Sequence, residues 1–334
     1  MDCPQDDDDL QVISSKGEEL PQPNESFQEL LQSLPIRKRI TKELLYLYDG
    51  FWIDESCLEV VIDFQQNFQP QDTDIILVTA PKSGTTWLKS LVFTITRRSQ
   101  YTISDKNHPL LTTNPHGLVP FVEYVNPHNH VGTPRLFATH LSYTLLPESI
   151  KTSKCKIIYL CRNPRDTFVS MWHFEHKIMS KLDPSWQFPS PKECLEQFCE
   201  GVSHFGPFWE QILQYWKLSN ERPEKVLFLK YEELKGDIIA QCKKMADFMN
   251  CSFSSEEEND GVIKDIAKFC SFEHLSNLEV NKQTEQRSVP QLDNGIFFRK
   301  GEIGDWKNLI TTSMAEKLDQ FVEQKLQGSG LKLN

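Results

Sequence analysis

The sequence lacks any long apolar run and any recognisable targeting signal. No stretch of its 334 residues approaches the roughly 20 unbroken apolar residues that a membrane-spanning helix needs. The first residues, MDCPQDDDDL, have neither the basic nor the apolar region of a secretory signal, and their acidity is unlike an Arg-rich transit peptide. We therefore expect a soluble, cytoplasmic protein without a membrane partner.

Disulfide and metal-binding patterns are also missing. The nine cysteines are irregularly spaced and form no CxxC pair, which predicts reduced thiols in a reducing compartment. No HExxH motif occurs, and His173 and His176 have no further candidate ligands near them in the sequence. The sequence therefore predicts no metal site.

An excess of basic residues is absent. The 36 Lys and Arg residues face 47 Asp and Glu residues, which gives a net charge of −11. Nucleic-acid-binding proteins normally carry a positive field, so we expect no nucleic-acid partner. The same net charge repels any anionic ligand, which a few locally placed cations would have to hold.

No internal repeat and no long Gly/Ser linker divides the chain. Residues 1–25 are rich in Asp, Glu, Ser and Pro, and they are predicted to form a disordered acidic tail. From Ser26 the pattern becomes globular and begins with a short amphipathic helix that Pro35 closes. With 39% hydrophobic and 11% aromatic residues to fill a core, residues 26–334 are predicted to form a single domain.

Four short apolar runs have the composition of buried strands, over residues 74–80, 135–140, 156–161 and 225–231. Helical patterns lie between them, notably over residues 85–98. This alternation predicts an α/β fold with a central parallel sheet flanked by helices on both faces. Because ligands of such sheets bind at the carboxyl ends of the strands, the residues that follow each strand form the candidate site.

The first strand is followed by PKSGTTW, residues 81–87, in which a tight turn at Gly84 leads into a helix. A helix N-terminus offers free N–H groups and positive potential, to which Lys82 adds a full charge and the neighbouring hydroxyl groups add donors. This pattern is typical of a P-loop-like phosphate-binding strand–turn–helix, although the GxxxxGK[ST] spacing of a Walker A loop is absent. A serine-capped turn without a ligand is the alternative interpretation.

The second strand ends at His140. A histidine has the intrinsic pKa that suits deprotonation of a hydroxyl group at neutral pH. Because His140 is expected beside the phosphate-binding turn of residues 81–87 (the phosphate turn), it is a candidate general base. The alternative is a histidine that only forms structural hydrogen bonds.

The third strand is followed by RNPRDTFVSMWH. Asn163 is a good N-cap, which places Arg162 at the strand-to-helix corner and Ser170 two turns into the helix. The guanidinium of Arg162 can form bidentate hydrogen bonds with a phosphate, and the hydroxyl group of Ser170 can donate to the same phosphate. Arg165 and Asp166 are expected to form a solvated pair in the first turn.

Two later segments complete the candidate site. The fourth strand ends at Tyr231, which either contributes to a nucleotide pocket or is a core aromatic. Residues 281–305 lack regular periodicity, and loops of this length inside a compact domain are usually functional or disordered. Within this loop Arg299 and Lys300 beside Gly301 are predicted to form a cationic clamp, with a solvated basic turn as the alternative.

The chain resembles the cytosolic sulfotransferases, particularly their plant branch, in three motifs that occur in the family's order. PKSGTTWLK is similar to the 5′-phosphosulfate loop, CRNPRDTFVS to the 3′-phosphate motif and FFRKGEIGDW to the C-terminal donor-binding signature. CSFEHLSNLEVNK and GSGLKL also resemble plant members. The resemblance implies an enzyme that moves a sulfuryl group from 3′-phosphoadenosine 5′-phosphosulfate (PAPS) to the hydroxyl group of a small plant metabolite, without a metal.

The resemblance also implies roles for individual residues. His140 matches the family's catalytic base, and Lys82 would contact the bridging oxygen of the donor and neutralise the leaving 5′-phosphate. The implied donor-binding set is Ser83, Gly84, Thr85 and Thr86 for that phosphate, Trp87 for the adenine, Arg162, Ser170, Arg299, Lys300 and Gly301 for the 3′-phosphate, and Tyr231, Ser271 and Phe272 for the nucleoside.

The chain departs from the family pattern at two points. Ser142 stands where the family often has a proline, so the rim of the acceptor pocket is expected to differ. The C-terminal dimerisation motif of many animal members is missing, so the sequence does not support an oligomer. Hydroxyjasmonates are the favoured acceptors and flavonols the second choice, with brassinosteroids and desulfoglucosinolates left open. The candidate acceptor wall comprises Phe121, Tyr124, Tyr143, Trp172 and Phe205.

Two other functions remain as alternatives at this point. One is a catalytically silent module that binds a nucleotide or a small molecule. The other is a P-loop kinase-like enzyme, which would need a Walker A loop and an acidic residue at a strand end to hold Mg²⁺.

Overall fold

The computed structural model describes residues 25–124, 132–282 and 293–333. The chain divides into two compact units, one that ends at Leu34 and one that begins at Pro35. The predicted acidic tail lies outside the described residues, apart from Glu25. Helix α1, Glu25–Ser33, lies in the first unit and coincides with the predicted amphipathic helix.

The second unit contains two sheets within the described residues. Their strands are β1 (Ile36–Lys38), β2 (Leu44–Tyr48), β3 (Phe51–Ile53), β4 (Ile75–Thr79), β5 (Leu136–Thr139), β6 (Lys156–Cys161) and β7 (Val226–Lys230). Strands β4 to β7 form a parallel sheet in the order β5–β4–β6–β7. The four predicted strands and their parallel arrangement are therefore confirmed, with ends that shift by at most one residue.

The register of the parallel sheet positions the candidate site. The side chains of β4 and β5 are all buried, which explains why these strands are apolar without alternation. Val78 of β4 pairs with Thr139 of β5 on one side and with Tyr159 of β6 on the other. The carboxyl ends of the three strands are thus nearly level, and the residues that follow them lie along one edge of the sheet.

Helices connect these strands and cover the sheet. They are α2 (Glu55–Asn67), α3 (Thr85–Arg97), α4 (Pro115–Leu118), α5 (Glu148–Thr152), α6 (Pro164–Leu182), α7 (Pro191–Cys199), α8 (Phe208–Glu221), α9 (Tyr231–Gly236), α10 (Ile238–Phe248), α11 (Ser255–Asn259), α12 (Val262–Phe269), α13 (Phe272–Asn277) and α14 (Thr312–Leu326). A hydrophobic core cluster packs α3, α10 and α12 against β4, β5 and β6. Asn163 caps α6 by accepting the N–H of Arg165 at 2.9 Å, as the sequence predicts.

Strands β1, β2 and β3 form a small antiparallel sheet that the sequence analysis did not predict. Its outer strands have three residues each, too few for a periodic pattern to be recognised. The sheet matters for the site because Glu43 precedes β2 and Asp54 follows β3. Asp54 also caps α2, where its side chain accepts the N–H of Cys57 at 3.0 Å.

The described residues can be compared with three predictions from the sequence: no membrane-spanning helix, reduced cysteines and no metal site. None of the helices there is long and apolar enough to cross a membrane. The eight cysteines in the same residues are free thiols. A search of these residues finds no group of three or more His, Cys, Asp or Glu side chains that could hold a metal ion.

Candidate active site

The turn between β4 and α3 has an unusual backbone. Gly84, the N-cap of α3, has a φ of 108°, and Lys82 has a φ of 66°. A Cβ atom on Gly84 would lie 2.8 Å from Cδ2 of Tyr231, so the turn requires glycine for both its φ and its close contact. The hydroxyl groups of Thr79 and Thr85 lie 2.6 Å apart and join the end of β4 to the first turn of α3. The N-terminal N–H groups of α3 therefore lie at the carboxyl edge of the sheet, where they can bind an anion.

Lys82 brings a positive charge to this turn. Its ammonium group lies 3.7 Å from the ring centroid of Phe174 on α6. Burial, and then the nearby charges of Arg299, Arg162 and Lys177, lower the pKa of Lys82 to about 7. An anion bound among these cations would relieve their mutual repulsion and restore the charge on Lys82.

The ring of His140 is oriented by the neighbouring strand. Its Nδ1 lies 2.8 Å from the carbonyl oxygen of Thr79. Because a carbonyl oxygen only accepts hydrogen bonds, Nδ1 carries the proton and Nε2 remains as the acceptor. Burial lowers the pKa of His140 to about 3, and the charges of Lys89 and Lys82 act in the same direction. The imidazole is therefore neutral at pH 7, with Nε2 unprotonated.

Arg162 lies at the corner between β6 and α6, as predicted. Its guanidinium donates to the carbonyl oxygen of Glu302 at 2.6 Å and lies 4.5 Å from the ring centroid of Tyr231. Its Nε is buried and has no hydrogen-bond partner among the described residues. Ser170 lies on the wall of the same cavity as Arg162. The corner thus retains hydrogen-bonding capacity that the protein itself does not use.

Asp305 fixes the predicted cationic clamp. Its buried carboxylate accepts hydrogen bonds from Arg299 and from Lys300, the latter at 2.6 Å. Burial alone would raise the pKa of Asp305, but Lys300, Asn308 and Arg299 hold it well below its usual range. The carboxylate therefore stays ionised and keeps the two cationic side chains together.

Gly301 continues the clamp with a close backbone contact. Its φ is 64°, and a Cβ atom there would lie 2.6 Å from the ring of Phe272 at the start of α13. The hydroxyl group of Tyr231 donates to the carbonyl oxygen of Gly301 at 3.2 Å. Ser271 caps α13 by accepting the N–H of His274 at 3.1 Å. The C-terminal loop, α13 and the end of β7 therefore meet at this point.

A cavity of about 1340 Å³ opens onto all of these groups. It is lined by every predicted site residue except Ser83: Lys82, Gly84, Thr85, Thr86, Trp87, His140, Arg162, Ser170, Tyr231, Ser271, Phe272, Arg299, Lys300 and Gly301. Ser83 is buried in the turn, where its N–H donates to the carbonyl oxygen of Ala80 at 3.2 Å. Residues from six separate parts of the sequence thus converge on one space.

Comparison with known proteins decides the family. Residues 72–330 match the family model described as the sulfotransferase domain. The chain belongs to the sulfotransferase family. The matched region contains the whole parallel sheet, the phosphate turn and the cationic clamp.

Curated relatives narrow the assignment to the plant cytosolic branch. Cytosolic sulfotransferase 15 of Arabidopsis thaliana is 46% identical over 317 residues, which cover 91% of this chain and 86% of the relative. Cytosolic sulfotransferase 12 of the same plant is 47% identical over 316 residues, which cover 91% of this chain and 93% of the relative. The chain is therefore a PAPS-dependent sulfotransferase, and the cytoplasmic location expected from its sequence agrees with the names of these relatives.

Solved structures confirm the fold. An Arabidopsis thaliana sulphotransferase of known crystal structure is 39% identical to this chain in sequence, with a TM-score of 0.74. The alignment covers 96% of this chain and 100% of that one. A mouse sulfotransferase solved in complex with adenosine 3′,5′-bisphosphate (PAP) is 27% identical to this chain in sequence, with a TM-score of 0.65. The alignment covers 85% of this chain and 95% of that one. Family membership removes the kinase-like alternative.

The sulfotransferase supports its C-terminal clamp with a residue that the sequence analysis assigned wrongly. Asp166 is 1% exposed, and its carboxylate accepts the N–H groups of Gly304 at 2.7 Å and Trp306 at 3.1 Å. It is therefore not part of a solvated pair. Arg165 forms an ion pair with Asp319 of α14, and its guanidinium lies 4.5 Å from the ring centroid of Trp306. No local pattern identifies the contact of Asp166 with the C-terminal loop, because Gly304 and Trp306 are more than a hundred residues away in sequence.

The structure places three of the five candidate acceptor-wall aromatics on the cavity. Phe121, Tyr124 and Phe205 line the cavity of the sulfotransferase. Tyr143 and Trp172 do not, because Tyr143 packs against Tyr215 with ring centroids 6.0 Å apart and Trp172 stacks on His176 at 5.1 Å. The sequence does not distinguish cavity aromatics from core aromatics, since both are large and apolar.

The sequence did not predict a polar cluster on the cavity wall, which consists of His204, Asp54 and Glu43. The ring nitrogens of His204 lie 3.5 Å from a carboxylate oxygen of Asp54 and 3.8 Å from one of Glu43. Burial lowers the pKa of His204, but its contacts with Asp54 and Glu43 outweigh burial and raise the pKa to about 9. His204 is therefore protonated at pH 7 and is neutralised by two carboxylates that the unpredicted small sheet delivers.

Proposed function

We propose that this sulfotransferase transfers the sulfuryl group of PAPS to the hydroxyl group of a small plant metabolite, with His140 as the general base. The observation that supports this role most strongly is the orientation of the imidazole of His140, whose Nδ1 is fixed by Thr79, on the wall of the cavity that Lys82 also lines. A base with a free acceptor nitrogen and a cation in one cavity are the two groups that sulfuryl transfer requires.

The donor would occupy the part of the cavity next to the phosphate turn. Ser83 to Thr86 and the N-terminus of α3 would bind the 5′-phosphate, and Trp87 would stack on the adenine. Arg162, Ser170 and the clamp of Arg299 to Gly301 would bind the 3′-phosphate. Tyr231, Ser271 and Phe272 would line the nucleoside pocket. The unused Nε of Arg162 fits a phosphate group as its hydrogen-bond partner.

The chemical step needs one proton transfer and one stabilised leaving group. Nε2 of His140 would take the proton of the acceptor hydroxyl while its oxygen attacks sulfur in line with the bond that breaks. Lys82 and the N-terminus of α3 would stabilise the negative charge that develops on the 5′-phosphate oxygen. A general base of this kind contributes about 10²–10⁴-fold to the rate.

The acceptor classes favoured by the sequence are hydroxyjasmonates and flavonols. The cavity wall beside His140 combines the apolar rings of Phe121 and Phe205 with the carboxylates of Glu43, Asp54 and Glu175. Within the described residues these three negative charges are compensated by His204 and by Arg39, which lies 2.9 Å from Glu175. Lys82 and Lys177 line the same cavity and can compensate the third negative charge, so the wall accommodates both a flavonol and the carboxylate of a hydroxyjasmonate.

A transfer assay tests the proposal. The purified protein is incubated with radiolabelled PAPS and, separately, with a flavonol, a hydroxyjasmonate, a brassinosteroid and a desulfoglucosinolate. We expect a labelled sulfate ester with the hydroxyjasmonate or with the flavonol. Tight binding of PAP without transfer to any of the four would instead favour the catalytically silent module.

A further inference from the structure

The segment from Pro120 to Tyr124 adds an edge to the strand that carries His140. The N–H of Val122 donates to the carbonyl oxygen of Ala138 at 3.0 Å, and the N–H of Ala138 donates to that of Pro120 at 2.8 Å. Phe121 forms a parallel β-bridge with Ala138 of β5. The Pro120–Tyr124 segment is therefore held in a fixed position relative to the end of β5.

Glu123 of this segment contacts the backbone of His140. Its side chain is 1% exposed, and its Oε1 accepts the N–H of His140 at 2.7 Å. Burial raises the pKa of Glu123 to about 7, against the opposing effect of hydrogen bonds from His140 and Thr139 and of the charge of Lys89. The protonated and the ionised carboxyl both keep an oxygen that can accept this N–H.

The carbonyl oxygen and the Nδ1 atom of His140 also have hydrogen-bond partners. Gln211 of α8 donates to its carbonyl oxygen, and Tyr159 of β6 donates to Oε1 of Gln211 at 3.0 Å. Thr79 fixes the ring at 2.8 Å, as described above. Glu123 differs from these partners because it is a carboxylic acid, and because it lies on a segment outside the helices and the four-stranded parallel sheet.

A buried chain of contacts connects this segment with the phosphate turn. The ammonium group of Lys89 on α3 lies 3.2 Å from the ring centroid of Phe121 and 3.1 Å from Nδ1 of His116. Nε2 of His116 lies 3.0 Å from the hydroxyl oxygen of Thr86 in the phosphate turn. The ring of Phe121 in turn lies 4.7 Å from that of His140. The donor-binding turn and the base are therefore joined through the Pro120–Tyr124 segment.

We propose that Glu123 is a positioning residue for the sulfuryl transfer, which fixes the backbone of His140 so that Nε2 meets the acceptor hydroxyl. This inference rests on the proposed role of His140 as the base. It assigns no contact with substrate to Glu123. Its removal should therefore impair proton transfer and leave donor binding intact.

The test uses two acceptors that depend on the base to different degrees. A phenol as acidic as 4-nitrophenol needs little help to lose its proton, whereas 4-methylphenol needs more. For Glu123→Ala we expect kcat with 4-methylphenol to fall by about tenfold or more and kcat with 4-nitrophenol by less than about threefold. Glu123→Gln keeps an acceptor oxygen and should restore the wild-type ratio of the two rates. If Glu123→Ala does not fold, Glu123→Met keeps the volume and takes its place.

Asp74→Asn provides a matched control. Asp74 is also a buried carboxylate, but it lies at the opposite end of β4 and pairs with Arg135 at 2.6 Å. Its variant should lower the melting temperature without changing the ratio of the two rates. An equal loss with both phenols in Glu123→Ala would show a merely structural role and overturn the inference. His140→Ala separates the two proposals, because a wild-type ratio in that variant would contradict the role of His140 itself.

Discussion

Nδ1 of His140 lies 2.8 Å from the carbonyl oxygen of Thr79, so the strand before the phosphate turn orients the ring of the candidate base. Thr79 also contacts Thr85 at the start of α3 through their hydroxyl groups, 2.6 Å apart. One residue thus connects the base to the helix whose N-terminus would bind the donor. The candidate base after β5 and the turn after β4 are therefore held in a fixed position relative to each other.

The protonation state of His140 can be measured directly in the donor-free protein. Because its pKa is lowered to about 3, the ring should remain neutral as the pH falls from 8 to 5. His204 has a pKa raised to about 9 and should be protonated throughout that range. Histidine ring signals in an NMR titration, assigned with His140→Gln and His204→Gln, check both. A His140 signal that titrates near the ordinary value of about 6.5 would contradict the burial described here.

Binding of PAP should be coupled to the uptake of a proton by Lys82. The pKa of Lys82 is about 7 without a ligand, so at pH 8 most of these side chains are neutral, and a bound phosphate raises their pKa. We expect uptake of up to about one proton at pH 8, where the phosphate groups of PAP are already ionised. Calorimetry in two buffers of different ionisation enthalpy measures it. The uptake should vanish in Lys82→Met and persist in Lys177→Met, and its absence from the wild type would refute the coupling.

Asp166 and Arg165 are adjacent in sequence but should differ sharply as variants. Asp166→Ala removes two hydrogen bonds that hold the backbone at Gly304 and Trp306, next to the cationic clamp. Each such bond to a charged group contributes about 1.5–3 kcal/mol, so the Kd for PAP should rise about tenfold or more. Arg165→Ala removes a partly exposed ion pair and a contact with the ring of Trp306 but keeps the hydrogen bonds of Asp166, so it should change the Kd by less than about threefold. Equal effects would show that Asp166 does not support the clamp.

Glycine should be indispensable at position 84. In Gly84→Ala the new Cβ would lie 2.8 Å from Tyr231 and the residue would have to keep a φ of 108°. We expect a loss of at least about 2 kcal/mol in unfolding free energy and weaker PAP binding, because the turn must move. Gly50→Ala is the control, since its φ is 84° but nothing lies within 4 Å of the new Cβ. A loss in Gly84→Ala no larger than in Gly50→Ala, measured by urea unfolding, would show that the contact with Tyr231 is unimportant.

The sequence predicts those parts of the site that follow from local chemistry. Strand ends that carry Lys82, His140 and Arg162 can be identified because apolar runs define the strands and a parallel sheet places their carboxyl ends together. Asp166 could not be assigned, since its role depends on N–H groups in the distant C-terminal loop. The contact between Glu123 and His140 is hidden for the same reason, because an edge segment without a periodic pattern brings the two together.

The acceptor side was the least predictable. Glu43 and Asp54 reach the cavity on a small sheet with three-residue outer strands, which no hydrophobic period reveals. Tyr143 and Phe205 are both aromatic, yet only Phe205 lines the cavity, because the choice depends on how α8 and the residues before it pack. Side-chain type therefore predicts the chemistry at the donor end and leaves the shape of the acceptor end open.

The role of His140 is tested most directly by sulfuryl transfer in His140→Ala. Wild type and variant are first titrated with PAP, so that rates refer to folded, donor-competent protein, and transfer from labelled PAPS to a flavonol is then measured in both. We expect unchanged PAP binding with a rate about 10²–10⁴-fold lower in the variant. A variant that binds PAP normally and transfers at the wild-type rate would contradict the assignment of His140 as the base.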